Sequence, residues 1–291
     1  MAFAGGSFGA PAFAGEGIFG WLYSLDLQPR GKAEVEQRVD MTHRQAVGRY
    51  DWNQYRTEIE YGLSDDFQIG AYLNAFSIRA QDNYLSDEVC ATTPCTAGFG
   101  VPGTASSGGA YRRSGIDGAS LEAIWRISNP VTSPVGVGLY VEPTWGKLED
   151  SLEFRLLLQS NFLDDRLVLA ANALVEMERE KYDPANGIIR NSMADLLYGA
   201  SYRFAPRWSA GFEGRLHTDH DGYRFEQHTQ TANFIGPNVH YSAERWWLTA
   251  AWRHQVGGSC YGGGTADCSL GHVWDSHGRD QIMLKVGYLL N

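Results

Sequence analysis

The sequence is dominated by short runs in which hydrophobic and polar residues alternate. The clearest run extends from Asp150 to Phe162. Its hydrophobic positions are Leu152, Phe154, Leu156 and Leu158, and its polar positions include Glu153, Arg155, Gln159 and Asn161. A β-strand sends successive side chains to opposite faces. The run therefore predicts a strand with one hydrophobic face and one charged face.

Comparable alternation recurs about twelve times along the chain, which is the primary sign of half-buried strands. At ~3.3 Å per residue and a tilt of ~40°, ten residues cover the ~25 Å apolar band of an outer membrane. The predicted strands are residues 33–42, 52–61, 67–78, 116–128, 135–146, 151–162, 166–178, 192–204, 207–218, 232–241, 246–256 and 281–290.

The length of the joint between two runs depends on whether the joint follows an even-numbered or an odd-numbered strand. Joints after even-numbered strands are short and rich in Asp, Pro, Ser and Asn, as tight turns are. Joints after odd-numbered strands include residues 79–115 and 257–280, with the joint at 147–150 a short exception. Outer-membrane barrels have short periplasmic turns, long extracellular loops and an even number of strands. The sequence therefore predicts an all-β, twelve-stranded antiparallel transmembrane β-barrel with both termini in the periplasm of a Gram-negative bacterium.

Aromatic residues gather near the short joints and lie mostly on the hydrophobic face. Rings at one height on the outer face form an interfacial girdle. The final strand, QIMLKVGYLLN, resembles the C-terminal signal of outer-membrane barrels, although it lacks the usual final aromatic residue. The predicted girdle consists of Tyr61, Phe67, Trp125, Phe162, Tyr202, Phe204, Trp208, Tyr241, Trp246 and Tyr288.

Composition restricts the class of protein further. The 291 residues contain no stretch of ~18 consecutive apolar residues, so a spanning helix is not predicted. The formal net charge is −10, and no Lys/Arg tract stands out, which argues against a nucleic-acid partner. We expect no cofactor. The predicted partners are outer-membrane lipid and a small polar solute, and the extracellular loops and the N-terminal segment are the candidate sites for a protein partner.

Four cysteines form two close pairs in loops, Cys90 with Cys95 and Cys260 with Cys268. Neither pair has the spacing typical of a metal site, so two local disulfides in an oxidising compartment are favoured over a metal centre. Before the barrel, residues 1–14 end in the small-x-small pattern of a signal-peptide cleavage site. Residues 15–32 follow as a periplasmic docking arm or a plug, and residues 33–291 form the barrel.

Several blocks of sequence are similar to an uncharacterised family of proteobacterial outer-membrane β-barrel proteins. They are scattered over most of residues 15–290, so the resemblance implies a barrel along the whole chain. It implies no assigned activity and no catalytic residue. The blocks are GEGIFGWLYSLDLQPRGKAEVEQ, RTEIEYGLSDDFQIGAYLN, YVEPTWG, LEFRLLLQSNFLDDRLV and GPNVHYSAERWW.

The polar face of each predicted strand provides a map of the lumen, in which acids and bases nearly balance. We predict a charged constriction near the short-turn ends, with glutamates of strands one and two facing arginines of strands seven to nine. A salt-bridged network that fills the interior is the alternative. Barrels of eight strands have a filled interior and barrels of sixteen to eighteen an open channel, so a count of twelve is compatible with both. The candidate lumen residues are Glu34, Glu36, Glu58, Glu60, Arg166, Arg203, Arg207, Glu213 and Arg215.

Three chemical alternatives are weaker. A lipid hydrolase would need His254 and Ser276 within hydrogen-bond reach. Loop metal sites could use the HTDHD motif at residues 217–221 or the group His272, Asp275, His277 and Asp280. Glu142 and Glu153 face each other as a carboxylate pair, which strand pairing produces readily without catalysis.

The sequence therefore favours an outer-membrane channel that passes small polar or charged solutes through a narrow charged lumen, with no catalytic and no metal site. A closed barrel that presents its loops or docks a partner is the second hypothesis. A membrane-embedded lipid hydrolase is the third.

Overall fold

The computed structural model describes residues 16–45, 47–84, 95–104, 109–184, 187–261 and 278–290. Twelve antiparallel strands close into one barrel, each paired with its sequence neighbours, and β1 pairs with β12. The strands are β1 Ala33–His43, β2 Arg49–Ser64, β3 Phe67–Gln81, β4 Tyr111–Ser128, β5 Gly136–Trp145, β6 Glu149–Phe162, β7 Leu167–Glu180, β8 Ile189–Ala205, β9 Trp208–Asp221, β10 Gln227–Ser242, β11 Trp246–Cys260 and β12 Asp280–Leu289.

The predicted fold class and strand count are confirmed. Several strands extend beyond their predicted starts, and they do so at one end of the barrel. β2 begins at Arg49, β4 at Tyr111 and β10 at Gln227. Backbone pairing continues there without the alternation of polar and hydrophobic residues, because side chains above a lipid layer have no hydrophobic face to maintain.

The alternation of the joints is also confirmed. Joints such as residues 65–66, 163–166 and 206–207 lie at the short-turn end. Strands β3 and β11 end, and β4 and β12 begin, at the opposite, long-loop end.

The two faces of the barrel differ as the parity predicts. On β2, Ile59 is 57% exposed on the outer face, while its neighbour Glu58 is 1% exposed on the inner face. The girdle aromatics point outwards, with Trp125, Phe204 and Tyr288 among the most exposed. In the described residues, no helix is long and apolar enough to span a membrane.

The lipid-facing role of this surface leads to a stability prediction. Leu156 lies at the middle of β6 and is exposed on the outer face. Leu156→Arg should destabilise the barrel in liposomes by ~2–4 kcal/mol, the cost of arginine near the bilayer midplane. Urea unfolding in liposomes measures the change in the free energy of unfolding. Leu163→Arg, at an exposed position in the β6–β7 turn, should cost ~0–1 kcal/mol; equal costs would contradict a membrane-facing surface.

Most of the N-terminal segment, residues 16–32, lies in the interior, and residues 29–32 next to β1 are exposed. The segment begins with a 3-10 helix, Glu16–Ile18. Phe19 and Leu22 pack against β7 and β8, while Leu25 and Leu27 pack against β4, β5 and β6. The segment approaches β2 so closely at Gly62 that a Cβ there would lie 2.3 Å from the carbonyl oxygen of Gln28. The predicted signal-peptide remnant, residues 1–14, lies outside the described residues.

Candidate functional site: the barrel lumen

Side chains of the barrel wall hold the backbone of the N-terminal segment. The carboxylate of Glu213 on β9 accepts hydrogen bonds from three consecutive backbone N–H groups, those of Gly20 (2.6 Å), Trp21 (2.9 Å) and Leu22 (3.2 Å). The amide oxygen of Gln159 on β6 accepts from Leu25 N at 2.6 Å. An extended segment outside a sheet must satisfy its backbone groups in this way when it is buried. The wall therefore contains a binding site for its own N-terminal segment.

Two residues of the segment bridge the full width of the lumen. The backbone of Tyr23 exchanges two hydrogen bonds with the Asn172 amide on β7, at 2.8 and 3.0 Å, while its hydroxyl accepts from Arg38 on β1 at 3.2 Å. Trp21 similarly accepts from Arg155 on β6 and donates its indole N–H to Asp40 on β1 at 2.8 Å. Because β1 and β7 lie opposite each other in a ring of twelve strands, these two residues cross the lumen.

A cavity of about 260 Å³ lies inside the barrel, and Trp21 forms part of its lining. Most of the other lining residues come from the inner faces of the strands, among them Gln54 and Asn74, and Leu148 comes from the β5–β6 joint. Eight carboxylates and only four arginines line the cavity. The carboxylates are Asp40, Asp117, Glu142, Glu149, Glu153, Glu176, Glu178 and Asp195, and the arginines are Arg56, Arg155, Arg215 and Arg253.

Three of these arginines are neutralised by three of the carboxylates. Arg155 pairs with Glu153 at 2.6 Å, Arg215 with Asp195 at 2.5 Å, and Arg56 with Glu142. Breaking a buried ion pair would leave an uncompensated charge away from water, so these three pairs are permanent parts of the barrel wall.

The remaining lining acids include Glu149, Glu176 and Glu178. Their carboxylate oxygens lie within 4.8 Å of one another. Like charges at this distance create a local negative potential that attracts cations. The cavity is therefore acidic on the side formed by β6 and β7.

Part of the β3–β4 joint folds over the mouth of the barrel at the long-loop end. The ring of Phe99 stacks on Trp52 of β2 with centroids 4.1 Å apart, and its carbonyl oxygen accepts a hydrogen bond from the Tyr50 hydroxyl at 3.1 Å. Phe76 and Leu148 complete this hydrophobic cluster. This hydrophobic cluster narrows the mouth of the barrel on the side formed by β2 to β6.

Most of the predicted lumen residues lie on the inner wall, and three arginines do not. Arg166 and Arg207 are exposed at the short turns, and Arg203 is partly buried with its guanidinium 3.4 Å from the Asp164 carbonyl oxygen of the β6–β7 turn. Their predicted placement opposite the glutamates is corrected, because at strand ends these long side chains reach turn carbonyls and water. Without them, acids exceed bases on the inner face. The predicted residues that are buried inside are Glu34, Glu36, Glu58, Glu60, Glu213 and Arg215.

The structure also places the residues of the weaker chemical alternatives. Glu142 and Glu153 are register partners, but each is paired with its own arginine. In the HTDHD motif, His217 faces inwards between Asp195 (2.6 Å) and Asp219 (2.9 Å), whereas His220 stacks on His228 on the opposite face. The motif therefore does not converge on one site.

Other candidate residues lie partly outside the described structure. His254 contacts Asp280 at 2.6 Å, while Ser276, His272, Asp275 and His277 are outside the described residues. Cys90 and Cys268 are also outside them. Neither Cys95 nor Cys260 is a free thiol, and the two predicted pairings stay predictions.

Comparisons with known proteins give a fold and a family without an activity. The chain is similar to an outer-membrane channel from Pseudomonas putida F1, with 9% identity, 91% of this chain and 97% of that chain covered, and a TM-score of 0.58. It also aligns with the KdgM porin at 10% identity, with 88% of this chain and 98% of that chain covered and a TM-score of 0.47. No curated protein matches. Residues 11–290 match a family of unknown function, DUF6662, and the chain belongs to that family.

Proposed function

We propose that this chain is an outer-membrane channel for small polar solutes, with a preference for cations, and that residues 16–32 act as its gate. The long loops face the outside of the cell in this proposal, and both termini lie in the periplasm. The observation that carries it is the acidic cavity of about 260 Å³, which is closed towards the short-turn end by the lumen-crossing Trp21 and Tyr23.

The size and charge of the cavity support the choice of solute. Pockets for drug-sized ligands measure ~300–1,000 Å³, so this cavity suits a smaller solute. The unpaired acids on β6 and β7 raise the local concentration of cations. The gate is held by side-chain hydrogen bonds and by hydrophobic packing against the wall, and its backbone pairs with a strand only near Gly62. Its release therefore does not require the barrel to open.

A closed barrel that serves as a structural or interaction protein is the second candidate. The same lumen-crossing residues favour it, because they obstruct the lumen where they bridge its walls. Its partner would bind at the long loops. The two candidates differ in whether the N-terminal segment ever leaves its site on the wall.

Ion selectivity in planar bilayers tests the proposal. With a KCl gradient, the wild-type channel should show a reversal potential of the sign expected for K⁺ preference. Replacing Glu176 and Glu178 by glutamine should lower the preference for K⁺ over Cl⁻ several-fold while conductance persists, because two of the unpaired lining acids are removed. Glu226→Gln, in the β9–β10 joint outside the cavity lining, is the matched control. A barrel that conducts no ions at any voltage would favour the closed-barrel candidate.

A further inference from the structure

The inner face of β1 and β2 carries four glutamates in directly opposed positions. Glu34 is the register partner of Glu60, and Glu36 is the register partner of Glu58. All four side chains are at most 2% exposed. Like charges directly opposite across two strands are destabilising, and burial away from water makes the repulsion larger. This patch therefore needs positive charge to offset it.

The cations supplied by the chain do not balance the patch. Lys285 contacts Glu36 at 3.3 Å and Arg38 contacts the same carboxylate at 3.5 Å. Both of these ion pairs go to Glu36. Four carboxylates against two cations leave an excess of two negative charges, which is the charge of one divalent cation.

Unpartnered oxygens at this patch point to a ligand. Within the described residues, Glu34 Oε2 and Glu58 Oε1 are buried without a hydrogen-bond partner, and Glu36 Oε1 has only its 3.5 Å contact with Arg38. An independent oxygen comes from the N-terminal segment. Gln28 is fully buried and its Nε2 donates to Glu60 Oε2 at 3.3 Å, while Oε1 of the same amide has no partner. Unsatisfied buried polar atoms are costly and call for an explanation.

The kind and number of oxygen ligands suit one class of ion. Ligand oxygens of Glu36, Glu58 and Glu60 lie within 4.8 Å of one another, close enough to share one cation. Mg²⁺ keeps several of its waters and is usually held by one or two carboxylates, whereas Ca²⁺ takes six to eight protein and water oxygens. Carboxylates together with an amide carbonyl oxygen are typical Ca²⁺ ligands.

We propose that Glu36, Glu58 and Glu60 form a Ca²⁺ site. On binding, the amide of Gln28 turns so that its oxygen, instead of the Nε2 that now contacts Glu60, faces the ion from the N-terminal segment. The ion joins the segment to β1 and β2 and so stabilises the closed lumen. This second consequence rests on the proposed gating function, whereas ion binding itself does not.

Calorimetric titration tests the site directly. The full chain, purified in a non-ionic detergent and freed of divalent cations with EDTA, is titrated with CaCl₂. We expect one Ca²⁺ bound per chain. Glu58→Gln should weaken binding at least ~100-fold, because even residues that only orient metal ligands contribute ~10–100-fold. Glu244→Gln, at an exposed position in the β10–β11 turn, is the control and should leave this affinity unchanged. Wild-type protein that binds no Ca²⁺, or Glu58→Gln that binds equally well, would overturn the proposal.

A second variant and a second measurement distinguish loss of the Ca²⁺ site from loss of folding. Gln28→Ala removes an oxygen without altering the barrel wall, and should weaken Ca²⁺ binding about tenfold, at the lower end of that range. Ca²⁺ should raise the unfolding temperature of the wild type but not that of Glu58→Gln. Ca²⁺ should also lower the open probability in bilayers. If Ca²⁺ binds to a conducting channel without changing its open probability, the link between the site and gating is overturned, but the site is not. If Ca²⁺ binds to a barrel that never conducts, the proposed channel function fails and the Ca²⁺ site stands.

Discussion

Glu213→Ala should increase the open probability of the channel by about two orders of magnitude. The Glu213 carboxylate accepts the backbone N–H groups of Gly20, Trp21 and Leu22. Hydrogen bonds to charged groups contribute ~1.5–3 kcal/mol each. If released backbone groups recover part of this from water, a net loss of ~3 kcal/mol remains, and each 1.4 kcal/mol is a factor of ten in an equilibrium. Single-channel recording of the variant beside the wild type measures the change.

Two further variants make this result specific. Glu213→Gln keeps an acceptor oxygen but removes the charge, and should give an intermediate open probability. Glu244→Ala changes an exposed glutamate in the β10–β11 turn and should behave as the wild type. An unchanged open probability in Glu213→Ala would show that these contacts do not control passage through the lumen.

A disulfide that fixes the N-terminal segment to the wall should abolish conduction altogether. A Cβ at Gly20 would lie 2.7 Å from the Ala251 Cβ on β11. Disulfides join Cβ atoms ~3.5–4.5 Å apart, so a shift of about 1 Å lets cysteines at the two positions form a bond. The double variant Gly20→Cys, Ala251→Cys should then be closed when oxidised and regain wild-type openings when reduced.

The barrel itself follows from the sequence because its determinants repeat along the chain. The alternation from Asp150 to Phe162 predicts β6 to within two residues at its start. Each strand must present apolar side chains on one face, so parity also identifies outward aromatics such as Trp208. At the long-loop side, β2, β4 and β10 begin earlier than the alternation predicts, because strand pairing above the lipid layer requires no hydrophobic face.

The lumen could be predicted only in part. The alternation of side chains along each strand identifies Glu58 and Glu213 as inward residues. It wrongly predicts that Arg166 and Arg207 point inwards, because these two residues lie just outside their strands. The course of the N-terminal segment could not be predicted. Its partner Glu213 is 193 residues away from Gly20, and a segment buried on all sides shows no polar face. The role of Tyr23 as a bridge between β1 and β7 is therefore visible only in the folded structure.

The central claim is that movement of residues 16–32 opens the lumen. Single-channel recording of Gly20→Cys, Ala251→Cys before and after addition of a reductant tests it most directly, with the wild type treated identically to account for its native cysteines. We predict no openings of the oxidised variant, openings after reduction, and no such change in the wild type. Equal conductance of the variant before and after reduction, with formation of the disulfide verified, would contradict the claim.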